Sequence, residues 1–361
     1  MSDSVDREPP AALRTRFCEL VGVRYPIVQT GMGWVAGAHL VTATAKAGGL
    51  GILASATMTL DELKSQIAEV REATDAPFGV NLRTDVADVD ARIAAMVDAN
   101  VKVASFAQAP RGDLVTACKE SGLVVMPTVG ARRHAEKVAE LGVDAVIAQG
   151  AEGGGHTGVI PTSLLTPDVV RGVGADVCVI SAGGWSSGAG LVAALALGAD
   201  GIAMGTRFLL TTDSRVPDEV KATYLKTRAN ETVVSTRIDG APQRVIRTDL
   251  VNHLEGSSWL ANLPRSLRSA HQFRRESGAS LVSLLKEGRA MKQGNELTWP
   301  QVVMAANAPV MTKAGLVDGR SDVGVLPTGQ VTGVIDELPS VAELMERVIV
   351  EATDTLERLG T

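Results

Sequence analysis

Eight short apolar runs set the strongest constraint on how this chain folds, each closed by a small or polar residue and followed by a helix-forming stretch. They begin near Pro26, Leu50, Phe78, Val101, Leu123, Asp144, Val177 and Asp200, at intervals of 24, 28, 23, 22, 21, 33 and 23 residues. Each interval holds one strand and one helix. Within the runs apolar residues are continuous instead of alternating, which is the mark of strands buried on both faces of a parallel sheet. Residues 61–73, 87–100, 131–141 and 189–197 place apolar side chains at three-and-four spacing, as helices lying on such a sheet do. Eight successive units predict an α/β fold closed into a (β/α)8 TIM barrel. The rhythm is lost after Thr206 and helical patterning returns at 301–306 and 341–359. The expected organisation is a barrel over residues 1–206 and 301–361, with a smaller, mainly helical insertion at 207–300 after the eighth strand.

Length agrees, since 361 residues fit one barrel of roughly 250 residues plus an insertion. With 45% hydrophobic and 21% charged residues the chain can bury a large core, which excludes disorder. Charges are scattered through the first 25 residues, and no uncharged apolar run approaches the length of a spanning helix. Neither a secretory signal nor a membrane segment is expected. The three cysteines form no CxxC, so neither a disulfide framework nor a thiolate metal site is supported, and a reducing, cytoplasmic compartment fits. A net charge of −6 disfavours a nucleic-acid partner. The charge is uneven: residues 207–292 hold 15 Lys+Arg against 9 Asp+Glu, leaving 20 against 32 elsewhere. This basic segment reads either as solvated helices or as a landing surface for a phosphate-bearing ligand.

Two literal dinucleotide fingerprints occur, Gly31-x-Gly33-x-x-Ala36 and Gly153-x-Gly155-x-x-Gly158. The first lacks an acidic residue about 20 positions on. The second is followed by Pro161, with no helix expected before Thr166. Instead, glycines gather where strands end: Gly31 and Gly33, Gly150 to Gly158, Gly183 and Gly184, and Gly205. In a barrel these ends share one mouth, where glycine lets main-chain N–H groups approach a flat or anionic ligand. Ser181-Ala-Gly183-Gly184 and Met204-Gly205-Thr206 end the seventh and eighth strands, where barrels commonly hold a phosphate. The longest interval contains QGAEGGGHTGVIPTS, so a long loop at the catalytic end presents His156, whose imidazole is a candidate general acid or base.

In combination and in order, YPIVQTGMGW, GGLGIL, PFGVNL, AQGAEGGGHTG, SAGGW and ALALGADGIAMGTRFLLT resemble the FMN-dependent nitronate monooxygenase and 2-nitropropane dioxygenase-like flavoproteins, over nearly the whole chain. The resemblance implies that Gly31, Met32 and Gly33 line the flavin, that Asn81, Gln149, Gly154 and Gly155 adjoin it, and that Ser181, Gly183, Gly184, Gly205 and Thr206 hold its phosphate. It gives His156 the acid or base role. CELVGVRYPIVQTGMGWVAG, ELTWPQVVMAANAP and KAGLVDG are further similar to flavoproteins of bacterial steroid catabolism that act on coenzyme A thioesters. That similarity gives the basic segment a use, with Arg244 and Arg247 as candidate phosphate contacts.

Glu152 either orients His156 or is solvated, and Trp34 and Trp185 are either pocket walls or packing. Four chemistries compete. They are an FMN oxidoreductase acting on a CoA thioester of a polycyclic acid, with NAD(P)H as a candidate co-substrate; a nitronate monooxygenase using oxygen; a thiol-dependent nucleotide dehydrogenase, disfavoured because the His156 loop has no cysteine; and a non-catalytic flavin-binding module.

Overall fold

A computed structural model of the protein describes residues 10–84, 86–256 and 299–360. Eight parallel strands close a barrel: β1 (Ile27–Gln29), β2 (Leu50–Ala54), β3 (Phe78–Leu82), β4 (Val103–Phe106), β5 (Val124–Val129), β6 (Ala145–Gln149), β8 (Cys178–Ala182) and β9 (Gly201–Met204). A short strand β7 (Gly155–His156) lies outside the barrel, in the loop after β6. Closure is made where Ile27 of β1 pairs with Ile202 of β9. Every barrel strand begins within two residues of its sequence-predicted start, because burial on both faces leaves little choice of register.

Two apolar layers hold the barrel. One joins Val28, Ile52, Val103, Met126, Ile147 and Ile180 to Phe17, Cys18 and Val21 of α1 (Arg16–Val21). The Arg16 guanidinium grips the Asp200 carboxylate, Nε to Oδ1 and Nη2 to Oδ2, both at 3.0 Å, and so seats α1 at the end where β9 begins. The other layer packs strand residues such as Phe78, Leu53 and Val146 under the surrounding helices, among them α2 (Ala38–Lys46), α3 (Leu60–Ala73), α4 (Val89–Asp98), α5 (Gly112–Glu120), α6 (Arg132–Ala139) and α7 (Thr162–Val173), while α8 (Gly188–Ala196) packs with Ile202 and Met204 of β9 in a separate apolar cluster. Thr59 and Glu62 form a reciprocal capping box that starts α3.

One helix start differs from the sequence expectation. No helix was expected before Thr166, yet α7 begins at Thr162. Glu152, ten residues earlier, accepts from Thr162 N at 2.9 Å and from Thr162 Oγ1 at 2.6 Å, supplying the missing cap from outside the helix. Pro161, at φ −54°, enters the helix without strain.

After β9 the chain forms α9 (Thr206–Leu209), α10 (Asp218–Lys226), the antiparallel pair β10 (Thr232–Ser235) and β11 (Gln243–Ile246), and α11 (Asp249–Gly256). Residues 232–246 of the inserted segment are therefore a hairpin, not helix. Residues 257–298 lie outside the described residues. The hairpin pairs with β7, giving a second sheet in the order β10-β11-β7. Tyr224 of α10 is wholly buried, and its hydroxyl donates to Pro327 O at 2.7 Å, locking this segment to the C-terminal part of the chain. That part contains α12 (Trp299–Leu316) and α13 (Val341–Leu359). The latter packs against α8 and α2 and takes the place of the eighth barrel helix. No described helix is long and apolar enough to cross a membrane.

Candidate active site

The loop leaving β6 brings the singled-out residues together. Gln149 closes the strand and turns its amide back over the loop, donating to His156 O at 2.7 Å and to Gly154 O at 3.4 Å. The loop needs glycine because main chain meets main chain. A Cβ on Gly154 would lie 2.5 Å from the Thr328 carbonyl carbon, and one on Gly153 would lie 3.1 Å from Gly150 O. Gly155 has φ +65°, the left-handed region, and turns the chain into β7.

His156 then pairs with Gln243 across β7 and β11. Its side chain is 66% exposed, while the Asp239 side chain against it is 10% exposed. Imidazole Nε2 lies 2.7 Å from Asp239 Oδ2. The Gln243 amide nitrogen lies 3.1 Å from the same Nε2 and donates to Asp239 Oδ2. Burial alone would push the Asp239 carboxyl upward. The hydrogen bond and charge interaction with His156, with donors from Ala241 N and Gln243, outweigh it and hold the carboxyl below its ordinary range. Neither Asp239 nor Gln243 carried a signal in the sequence, since Asp239 lies 83 positions from His156 in a stretch without periodicity.

The other predicted residues line the ends of neighbouring strands. A Cβ on Gly31 would stand 2.6 Å from Asn81 Cβ, so β1 and β3 end in close contact there. Asn81 Nδ2 donates to Ser105 Oγ at 3.3 Å. Met32 reaches across to β9, where a Cβ on Gly205 would meet its sulfur at 3.4 Å. Gly33 precedes Trp34, which has φ +66°, an unusual conformation for a bulky residue. The Trp34 indole donates to Pro309 O of α12 at 3.2 Å. Gly183 and Gly184 have φ +111° and +81°, and both need glycine. Ser181 Oγ is buried, 2.7 Å from Thr166 Oγ1, and accepts from Trp185 Nε1 at 3.0 Å. Thr206 Oγ1 accepts from Gly329 N at 2.9 Å.

Two expectations need correction, and for Trp185 the packing alternative holds. Glu152 is half-buried and does not orient His156; it caps α7. Arg244 is 9% exposed, with Nη2 on Ala151 O at 2.9 Å, Nε on the same oxygen at 3.3 Å and Nη1 on Thr232 Oγ1 at 3.0 Å. Its donors brace the loop internally, so it is no arm for a substrate phosphate. Trp185 is committed to Ser181 and to the core beside α8 and α13. Arg247 is exposed.

These surfaces suit a flat ligand with an anionic tail. Around Gly154, Gly155, Gly183, Gly184 and Gly205 the rim is largely main chain, and a Cβ on Gly155 would meet nothing within 4 Å. Ser181 Oγ is held between Thr166 and Trp185, whereas Thr206 accepts from Gly329 N and keeps its O–H as a donor, so amide N–H groups and the Thr206 hydroxyl are the natural phosphate donors there.

A model of the nitronate monooxygenase family matches residues 14–91 and 84–351. The chain belongs to this family. Nitronate monooxygenase-like proteins are flavin-dependent, and this chain is an oxidoreductase of that type. It is 55% identical over 346 residues to the (3aS,4S,5R,7aS)-5-hydroxy-7a-methyl-1-oxo-octahydro-1H-indene-4-carboxyl-CoA dehydrogenase of Mycobacterium tuberculosis, covering 96% of this chain and 98% of the relative. The dehydrogenase of the same name from Rhodococcus jostii is 51% identical over 350 residues, covering 97% and 99%. Among solved structures, FabK from Thermotoga maritima aligns with a TM-score of 0.78 at 31% identity, covering 96% of this chain and 98% of that one.

Proposed function

We propose that this nitronate monooxygenase family member dehydrogenates a hydroxyl group on the CoA thioester of a polycyclic, steroid-derived acid, with FMN as its cofactor. The observation that carries the reading is His156, held at the barrel mouth by Asp239 and Gln243, in a chain alike from end to end to two hydroxy-indene-carboxyl-CoA dehydrogenases. Gly31, Met32, Gly33, Asn81, Gln149, Gly154 and Gly155 would border the isoalloxazine, and Ser181, Gly183, Gly184, Gly205 and Thr206 would surround the phosphate. When bound, the flavin supplies a two-electron acceptor for the hydride leaving the carbinol carbon. The chain's own part is to take the hydroxyl proton onto the His156 imidazole, with the Asp239 carboxylate steadying the resulting positive charge.

Segment 207–300 would form the substrate side of the site, since its hairpin contributes the residues that hold His156. Arg247 is the proposed contact for CoA phosphates; after dehydrogenation an oxidant such as NAD(P)+ or oxygen would take the two electrons from the reduced flavin, and NAD(P)H is the proposed co-substrate for the same site run in the reducing direction. The family match keeps nitronate oxidation with oxygen as a second reading. Anaerobic rapid mixing separates them. A polycyclic hydroxyacyl-CoA is expected to bleach the flavin absorbance quickly and a nitronate slowly. The reverse order would overturn the CoA reading in favour of the second.

A further inference from the structure

Asp239 belongs to none of the sequence motifs, yet it makes the shortest side-chain contact that His156 has. The carboxylate is oriented from both sides. Oδ1 accepts from Ala241 N at 3.0 Å within its own turn, and Oδ2 faces the imidazole at 2.7 Å. The backbone beneath the ring is fixed as well, because His156 and Gln243 are paired across β7 and β11. We propose that Asp239 is the positioning residue of His156, fixing its neutral imidazole as the Nε2–H tautomer and making Nδ1 the atom that exchanges a proton with the substrate.

This rests on the reading of His156 as the base. An ionised carboxylate can only accept, so the hydrogen between the two groups lies on Nε2. Asp239 is ionised near neutrality, because its contacts with His156 and its other donors hold it below the ordinary carboxylate range despite burial. The Gln243 amide nitrogen is also near Nε2, but as a donor it cannot bond to a protonated nitrogen. Its hydrogen goes to Asp239 Oδ2, which adds to the orientation of the carboxylate. Among the described residues, Nδ1 meets no hydrogen-bond partner, and the side chain is 66% exposed. Its lone pair is therefore the one available to a substrate. In the dehydrogenation proposed above, the substrate O–H bond breaks with its proton going to Nδ1. The oxygen keeps the electron pair that becomes the second bond of the carbonyl as the hydride leaves carbon. The resulting imidazolium lies against Asp239.

The test uses flavin-loaded protein labelled with 15N-histidine. Signals from the five histidines are assigned to His156 by their loss in His156→Gln. Long-range 15N–1H spectra of the neutral imidazole are expected to show Nε2 alone protonated in the wild type. In Asp239→Ala the averaged mixture of a free imidazole is expected. In steady state, Asp239→Asn keeps an acceptor for Ala241 N but loses the charge, and is expected to lower kcat by between ~10-fold and ~10⁴-fold with KM little changed. Asp239→Glu is expected to restore part of the loss. A wild-type His156 spectrum matching that of Asp239→Ala overturns the proposal, and so does an Asp239→Asn enzyme with unchanged kcat. If a variant fails to fold, the wild-type spectrum alone decides, since a populated Nδ1–H tautomer there is incompatible with it. Full turnover by His156→Gln would instead remove the base reading while leaving the tautomer measurement intact.

Discussion

His156 stands exposed above a buried carboxylate, so removing it is expected to separate chemistry from binding. His156→Ala should retain the flavin but slow bleaching by the CoA ester by ~10²–10⁴-fold, the range a general base contributes; rapid-mixing absorbance measures this, and an unchanged rate removes His156 from the mechanism. Two arginines three positions apart are expected to behave differently. Arg247 is exposed, and Arg247→Glu should raise KM for a CoA ester while leaving a small nitronate unaffected. Arg244→Glu places a carboxylate against Ala151 O and should instead lower the melting temperature, because an uncompensated buried charge replaces a satisfied one. Equal effects of the two substitutions on KM, without a stability difference, would contradict this division. The Gly183 position is constrained twice, by φ +111° and by Thr162 Oγ1 at 2.7 Å from an added Cβ. Gly183→Val is therefore expected to yield colourless protein on purification, and a fully yellow product would move the phosphate site elsewhere.

Helix α7 and the loop before it are coupled through Glu152, which spans the turn from the glycine segment to Thr162. Replacing Glu152 with Ala removes the cap, with an expected cost of ~0.5–2 kcal/mol in denaturant unfolding. The same change should speed hydrogen exchange at the start of α7, and unaltered exchange there would show that the cap is dispensable. The pairing of β7 with β11 has a different consequence: the catalytic loop takes its conformation from a hairpin contributed by a distant part of the chain. The sequence marked the loop as functional through its length and its histidine. It could not mark the hairpin, because short strands inside an aperiodic segment have no pattern to distinguish them from turns.

The barrel is closed at the strand-entry end by α1, whose Phe17 is fully buried against the interior layer. Phe17→Ala is expected to cost ~3–5 kcal/mol, visible as a lower unfolding midpoint, while flavin binding at the opposite mouth persists. Loss of flavin with unchanged stability would show that the two ends are not independent. The chain's order of apolar runs was enough to specify eight strands, their closure and the mouth where glycines and His156 collect. Burial on both faces is a local demand written into consecutive residues, and a glycine forced by φ is equally local. The partner of His156, the cap of α7 and the internal use of Arg244 were not legible in this way. Each depends on which distant main-chain segment arrives alongside, and that follows from strand register and loop closure in the folded molecule: Asp239 becomes a neighbour of His156 only when β11 pairs with β7, and Arg244 becomes structural only when Ala151 is brought against it.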